Sequence, residues 1–180
     1  RIWIGLVTNM KAYGITKYRN LKGEIAEQEW ISISDIGRSF GGVTLTAESY
    51  MDTEDAFVRI ILRILDYMGV KKCKIKNIDK MDIIKSRPEI PVSEDVKALY
   101  TQNLWDFYDS LHENQEIDLM EMGDVIRLQL REDIWARVYV PYRFKLFIGY
   151  DYMVDVETSV SLDPILEELN NMGLYVFSYV

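Results

Sequence analysis

Residues 40–70, FGGVTLTAESYMDTEDAFVRIILRILDYMGV, constrain the chain more than any other stretch. They run from a Gly-Gly turn into one strongly patterned helix that stops at Gly69. Tyr50, Phe57, Ile61, Ile64 and Met68 recur at three- and four-residue spacing with Val58 and Leu65 beside them, while Glu54, Asp55, Arg59, Arg63 and Asp66 occupy much of the other surface. This is the pattern of a core helix with one wet face. Thr46 is placed to accept the free amides of the first turn, Glu48, Asp52, Glu54 and Asp55 favour its positive end, and Gly69 supplies a left-handed stop. Starts near Ala47 and near Thr53 are both compatible. Such a helix must pack across a sheet.

The other elements are read in order. Residues 2–7 have strand character, but Gly5, Gly14 and Gly23 interrupt the stretch up to residue 26, and Lys11, Lys17, Arg19 and Lys22 read as a solvated face. Trp30, Ile31 and Ile33 begin a strand candidate ended by Asp35 and Gly37. After the helix, Cys73, Ile75 and Asn77 alternate with Lys72, Lys74 and Lys76, as in a strand with one wet face; its lysines suit a sheet edge. Pro88 and Pro91 separate it from a second helix, capped by Ser93 and striped by Val96, Tyr100, Leu104, Phe107 and Leu111. Residues 113–122 read as a loop or short turn. In 124–131, Val125, Arg127, Gln129 and Arg131 alternate with Ile126, Leu128 and Leu130 as in a strand, yet the length also allows two turns of helix, and the segment is assigned to helix. Residues 134–140 and 144–156 read as two strands joined at Pro141-Tyr142-Arg143. A last helix has Asp163 as cap, Pro164 at its first position and Gly173 at its end, and LYVFSYV is a closing strand. The expectation is a single α+β domain over residues 1–180, a mostly antiparallel sheet packed by about three helices.

A chain of 180 residues buries roughly 70% of its unfolded surface, enough for one core without a metal or cofactor. Its one cysteine, Cys73, allows no intrachain disulfide, which fits a reducing cytoplasm. No apolar run reaches the roughly 20 residues of a membrane span, and the first residues lack the pattern of a signal peptide. The expectation is a soluble cytoplasmic protein with no membrane partner.

The net charge of −8 is unevenly spread. Residues 1–90 carry 15 Lys+Arg against 12 Asp+Glu, whereas residues 91–180 carry 6 against 17. Two stretches of this second half have no basic residue, 106–126 and 146–180. From them we take Asp106, Asp109, Glu113, Glu116 and Asp118, and Asp151, Asp155 and Glu157, as candidate contacts for a basic partner; self-repulsion suits a surface completed by binding. The rings of the same half, Trp105, Phe107, Tyr108, Trp135, Tyr139, Tyr142, Phe144, Tyr150 and Tyr152, supply interface anchors, with about two-thirds expected in the core.

Catalytic patterns are sparse. His112 is the single histidine, so a histidine-rich metal cage is excluded, and one cysteine excludes a cysteine-based zinc site. Cys73 falls in the inward register of a strand, where an inert thiol is the common state. Gly41-Gly42 and Gly37 form no phosphate-binding motif. Asp151 and Asp155, on one strand face with Glu157 near, leave room for a divalent metal and a small metal-dependent hydrolase. Direct nucleic-acid binding is not expected, because the basic cluster at residues 71–87 is nearly free of aromatics.

Three segments resemble a group of small bacterial immunity proteins encoded beside secreted or contact-delivered toxins. The first holds Ile36-Gly37, Phe40, Gly42, Leu45-Thr46, Glu48, Tyr50 and Glu54-Asp55-Ala56-Phe57. The second is Leu130-Arg131-Glu132-Asp133-Ile134-Trp135, and the third Phe147-Ile148-Gly149-Tyr150-Asp151-Tyr152-Met153. The resemblance implies a cytoplasmic, non-enzymatic inhibitor of the toxic C-terminal domain of a cognate effector, often a basic nuclease. It carries over no toxin-binding residue. A regulatory adaptor without a toxin is a third reading.

Overall fold

The computed structural model describes residues 9–19, 29–81 and 92–179, and its organising helix, α1, runs Ala47–Tyr67. The earlier start is taken because the Ser49 amide donates to the Thr46 hydroxyl and the Thr46 amide donates to the Ser49 hydroxyl, a reciprocal cap. Gly69, at φ 67°, carries the chain out through the left-handed region. Tyr50, Phe57, Ile61, Ile64 and Met68 are buried, with Val58 and Leu65. One acid leaves the expected wet face: Glu54 is fully buried.

One sheet holds seven strands: β1 (Lys11–Thr16), β4 (Lys72–Lys80), β5 (Glu116–Asp118), β6 (Ile134–Val140), β7 (Phe144–Ile148), β8 (Met153–Thr158) and β9 (Tyr175–Ser178). A separate two-stranded hairpin pairs β2 (Ser39–Phe40) with β3 (Val43–Thr44). The order of the large sheet is β5-β4-β6-β7-β8-β1-β9, and every described pairing is antiparallel. With α1, α2 (Glu94–Ala98), α3 (Gln102–Ser110), α4 (Leu119–Leu130) and α5 (Leu166–Asn170), the described residues form five helices. The fold is α+β, as the sequence implied.

Alternation in the strands divides the sheet into two faces. Ile75, Val138, Leu146, Val156, Tyr13 and Ile15 point into the core, where α1 packs on α4. The opposite, outer face carries Lys74, Lys76, Arg137, Tyr139, Lys145, Phe147, Asp155 and Glu157, each exposed or half-exposed.

Several local readings are corrected by tertiary structure. Residues 33–35 form a 3-10 turn rather than a strand, because Ser32 and Asp35 cap each other's backbone. The second helix is broken into α2 and α3 at Thr101, whose hydroxyl accepts the Leu104 amide and starts the second piece. Residues 113–122 are not all loop: they contain β5 and the first turn of α4, capped reciprocally by Asp118 and Glu121. The span 144–156 holds two strands, since the chain turns at residues 149–152. Asp163 makes no side-chain cap to the last helix, which opens as a 3-10 turn over Asp163–Ile165. The lysine strand β4 is second from the edge, with β5 outside it. The strand candidate at residues 2–7 and the break at Pro88 and Pro91 lie outside the described residues.

Candidate functional site

Residues of three separated segments, 36–57, 130–135 and 147–153, meet at a buried polar cluster. Glu54 accepts hydrogen bonds from Arg131 Nη2 at 2.6 Å and Nε at 2.9 Å, from Arg127 Nη1 at 2.8 Å, and from the Tyr50 hydroxyl at 2.7 Å. Arg127 also reaches Asp55 at 2.7 Å, and Arg131 Nη1 donates to the Leu99 carbonyl at 2.8 Å. Tyr152 donates to the Tyr50 hydroxyl at 3.0 Å, and Trp30 packs on both rings. Burial opposes charge on Arg131, but the Glu54 hydrogen bonds and charge override it and hold its pKa above the usual arginine value. Tyr152 reaches this position from the β7–β8 turn, where Asp151 and Tyr152 both have positive φ, 59° and 61°. Two consecutive non-glycine residues in that region are strained; the ring packing and hydroxyl contact of Tyr152 hold them there.

These groups answer one another. Four donors meet both oxygens of Glu54, so the cluster fixes the angle between α1 and α4 rather than presenting chemistry to a ligand.

The sequence-selected acids are also answered, to varying degrees. Asp106 on α3 accepts from the Gln102 side-chain Nε2 at 2.8 Å. Asp109 is exposed near the end of α3, where its carbonyl accepts from Lys80 at 3.4 Å. Glu113 accepts the Asn77 and Ile78 amides at 3.0 and 2.6 Å, closing a bulge in β4. Glu116 pairs with Lys72 at 2.6 Å, which lowers its pKa, the hydrogen bond contributing most. Asp118 caps α4 through the Glu121 amide at 2.8 Å. The lysine strand thus lies against the stretch that the sequence left without cations.

The other three acids lie four strands along the sheet from β5, on the order of 19 Å away at ~4.8 Å per strand. Asp151 is exposed in the turn and not on the strand face with Asp155. Asp155 accepts from the Tyr179 hydroxyl at 2.8 Å, and Glu157 pairs with Lys145 at 2.9 Å. Among the described residues no group of three or more His, Cys, Asp or Glu is placed to hold a metal ion. Cys73 is buried, which pushes its thiol up to about 12. His112 is exposed just past α3, its Nδ1 3.1 Å from the Ser110 carbonyl.

What sequence reasoning missed is the outer face itself. Trp135 packs against Tyr150 and Phe147, with ring centroids 4.6 and 6.2 Å apart, and Phe147 and Tyr150 are 40% and 62% exposed. Of the nine rings weighed from the sequence, Tyr108, Phe144 and Tyr152 are buried. Trp105 and Phe107 pack at the core's margin, while Tyr142 and Tyr150 are exposed and Trp135 and Tyr139 half-exposed. Beside the rings a depression of about 490 Å³ is lined by Lys76, Arg137, Tyr139, Lys145, Phe147, Asp155 and Glu157 together with Val138 and Leu146. Basic and aromatic side chains from β4, β6 and β7 therefore share one face, although no sequence window contains them together. The signal available was the alternation of each strand; the missing knowledge was the strand order.

No family model, curated protein or solved structure matches the chain. Among the described residues no helix is long and apolar enough to cross a membrane.

Proposed function

We propose that this chain is an immunity protein that acts in the cytoplasm, binding the toxic C-terminal domain of a cognate bacterial effector and occluding its active site. The observation that carries the reading is the outer sheet face, where the Trp135–Phe147–Tyr150 rings stand beside unburied charges. A half-exposed Trp with an exposed Tyr and Phe on a face that also carries Arg is the composition of protein-interface anchors. The resemblance supports it: Tyr50 and Glu54, Arg131 and Asp133, and Tyr152, drawn from three separate segments, take part in the same or adjoining buried contacts. Residues that interlock are those a shared fold would require.

The net charge of −8 suits a basic nuclease as the toxin. Asp106, Asp109, Glu113, Glu116 and Asp118 on one side of the sheet, and Asp151, Asp155 and Glu157 on the other, are the proposed acidic rim. The reading requires neither a cofactor nor nucleic acid. A hydrolase built at Asp151 draws no support from the geometry, because Asp151 lies apart from the Asp155 face.

Co-expression with the toxin domain encoded beside the gene tests the reading. The expected result is a one-to-one complex on gel filtration and loss of toxin activity at equimolar protein. Toxin that stays active with the protein in excess would sink it, as would Mg²⁺- or Mn²⁺-dependent turnover by this chain alone. A regulatory adaptor would bind some other partner and leave the toxin untouched.

A further inference from the structure

Two cations stand opposite each other on the outer face. Lys76 of β4 and Arg137 of β6 are register partners, and both line the 490 Å³ depression. Side chains so paired have Cβ atoms ~4.5–5.5 Å apart, and like charges in that relation oppose strand pairing. Among the described residues neither has an ion-pair partner. Lys76 Nζ sits 4.4 Å from the centre of the Tyr139 ring, which attracts the ammonium without neutralising it. The anions of the same depression are already engaged, Glu157 with Lys145 and Asp155 with the Tyr179 hydroxyl.

We propose that the Lys76–Arg137 pair is the seat for a carboxylate side chain of the protein partner. This rests on the binding role argued above and adds the sign of one contact: the partner presents an Asp or Glu to the β4–β6 part of the face, whatever its charge elsewhere. The guanidinium offers a planar fork that matches a carboxylate, the ammonium adds a point charge, and Tyr139 and Phe147 wall the site with rings that can pack on the incoming stem. A nucleic-acid backbone fits less well. Its charges repeat every ~3.4 Å of axis on each strand, and a path across the strands from the pair meets Asp155 and Glu157 on one side and Glu116 on the other, on a chain of net charge −8. One carboxylate brings a single charge to the pair, and the acids of the same depression are already engaged with Lys145 and Tyr179.

The free protein provides the first arm of the test. Lys76→Gln and Arg137→Gln, each relieving the opposition, should raise the melting temperature at low salt, whereas Lys72→Gln, which breaks the Glu116 pair, should not. Lower melting temperatures in both pair variants would show that the two cations do not oppose each other and would overturn the proposal. The second arm titrates isotopically labelled full chain with an acetylated tetraglutamate peptide and, separately, a uridine tetranucleotide. The peptide should shift the Lys76 and Arg137 resonances, bind at least tenfold more weakly to the double variant, and keep its affinity for Lys72→Gln. Peptide affinity that survives in the double variant removes the seat. Tighter binding of the tetranucleotide through the same two residues replaces the carboxylate with a phosphate backbone and overturns the proposal equally. Peptide binding at the pair together with failure to protect against any toxin would sink the immunity reading and leave the seat standing.

Discussion

Glu54 and Arg137 are single charges in opposite situations. Glu54, in the interior, is met by four hydrogen bonds from three residues, while Arg137, on the outer face, has no ion-pair partner among the described residues and stands across from Lys76. The interior charge is balanced before any partner arrives, so its work is to specify how α1 meets α4. The surface charge is unbalanced, so its energy changes when something binds. A charge that the fold completes is evidence about the fold, and a charge that the fold leaves open is evidence about a partner.

Breaking the interior side should give the largest effect. Glu54→Ala leaves Arg131 buried with two donors unmet and should cost about 3–5 kcal/mol. Adding Arg131→Met should recover part of that loss, because removing both partners of a buried pair is far less harmful than removing one. Urea melts of the single and double variants measure this. A single-variant cost below about 1 kcal/mol would mean that the cluster behaves like a surface pair, and the contrast with Arg137 would collapse.

The apolar face of α1 comes next. Ile61 and Ile64 are fully buried, so either changed to Ala should cost about 2–5 kcal/mol, whereas exposed Arg59→Ala should stay within about 0.5 kcal/mol. Similar losses at all three positions would place the wet face wrongly.

These two experiments also mark what the sequence made legible. The helix could be read because its apolar spacing, its Thr46 cap and its Gly69 stop are all local. The burial of Glu54 could not, because its arginine partners lie 73 and 77 residues away. β1 is not legible in the sequence, because Gly14 reads as an interruption. In the sheet Gly14 gives room to Phe177 from the other end of the chain, and a Cβ there would lie 2.3 Å from that ring. The acids of residues 106–118 were visible as a charge run, but their cations came from β4, and only the strand order brings the two together. The same limit hid the Lys76–Arg137 pair, whose members belong to strands separated by three helices and β5 in sequence.

A pH experiment sharpens the interior side without removing a charge at neutrality. Burial pushes the Cys73 thiol up to about 12, against ~8.5 for a free cysteine. A raised folded value means that the stabilising contribution is fully present below the unfolded value and is lost as pH rises from there toward the folded one. At pH ~9.5 the wild type should have lost about 1.4 kcal/mol relative to Cys73→Ala, compared with their difference at pH ~7. The comparison with the alanine variant is needed because Lys17, lowered to about 8 chiefly by burial, works in the opposite direction over the same range. Parallel pH curves for the two proteins would mean that the thiol titrates as if exposed.

The smallest effect tests whether the sequence-selected acids belong with Glu54 or with Arg137. Glu113 accepts two backbone amides where the β4 register shifts between Lys76 and Asp79, and Asn77 there sits at φ 55°. Its carboxylate replaces the strand partner that β5 stops providing beyond Lys74. Glu113→Ala should therefore cost about 1 kcal/mol, reduced from the larger value of a buried charged hydrogen bond because water can reach the amides. Asp106→Ala, which loses one exposed side-chain contact, should stay within about 0.5 kcal/mol. Reversing Asp109 and Glu113 together, with reversal of Asp66 on α1 as control, then asks the partner question with the stability cost known. If the toxin's association rate falls only for the Asp109–Glu113 pair and its deficit relative to wild type widens as salt is removed, these acids steer the partner as well as hold the bulge. If only stability changes, they are completed by the fold, and the binding charge lies on the face of β4 and β6.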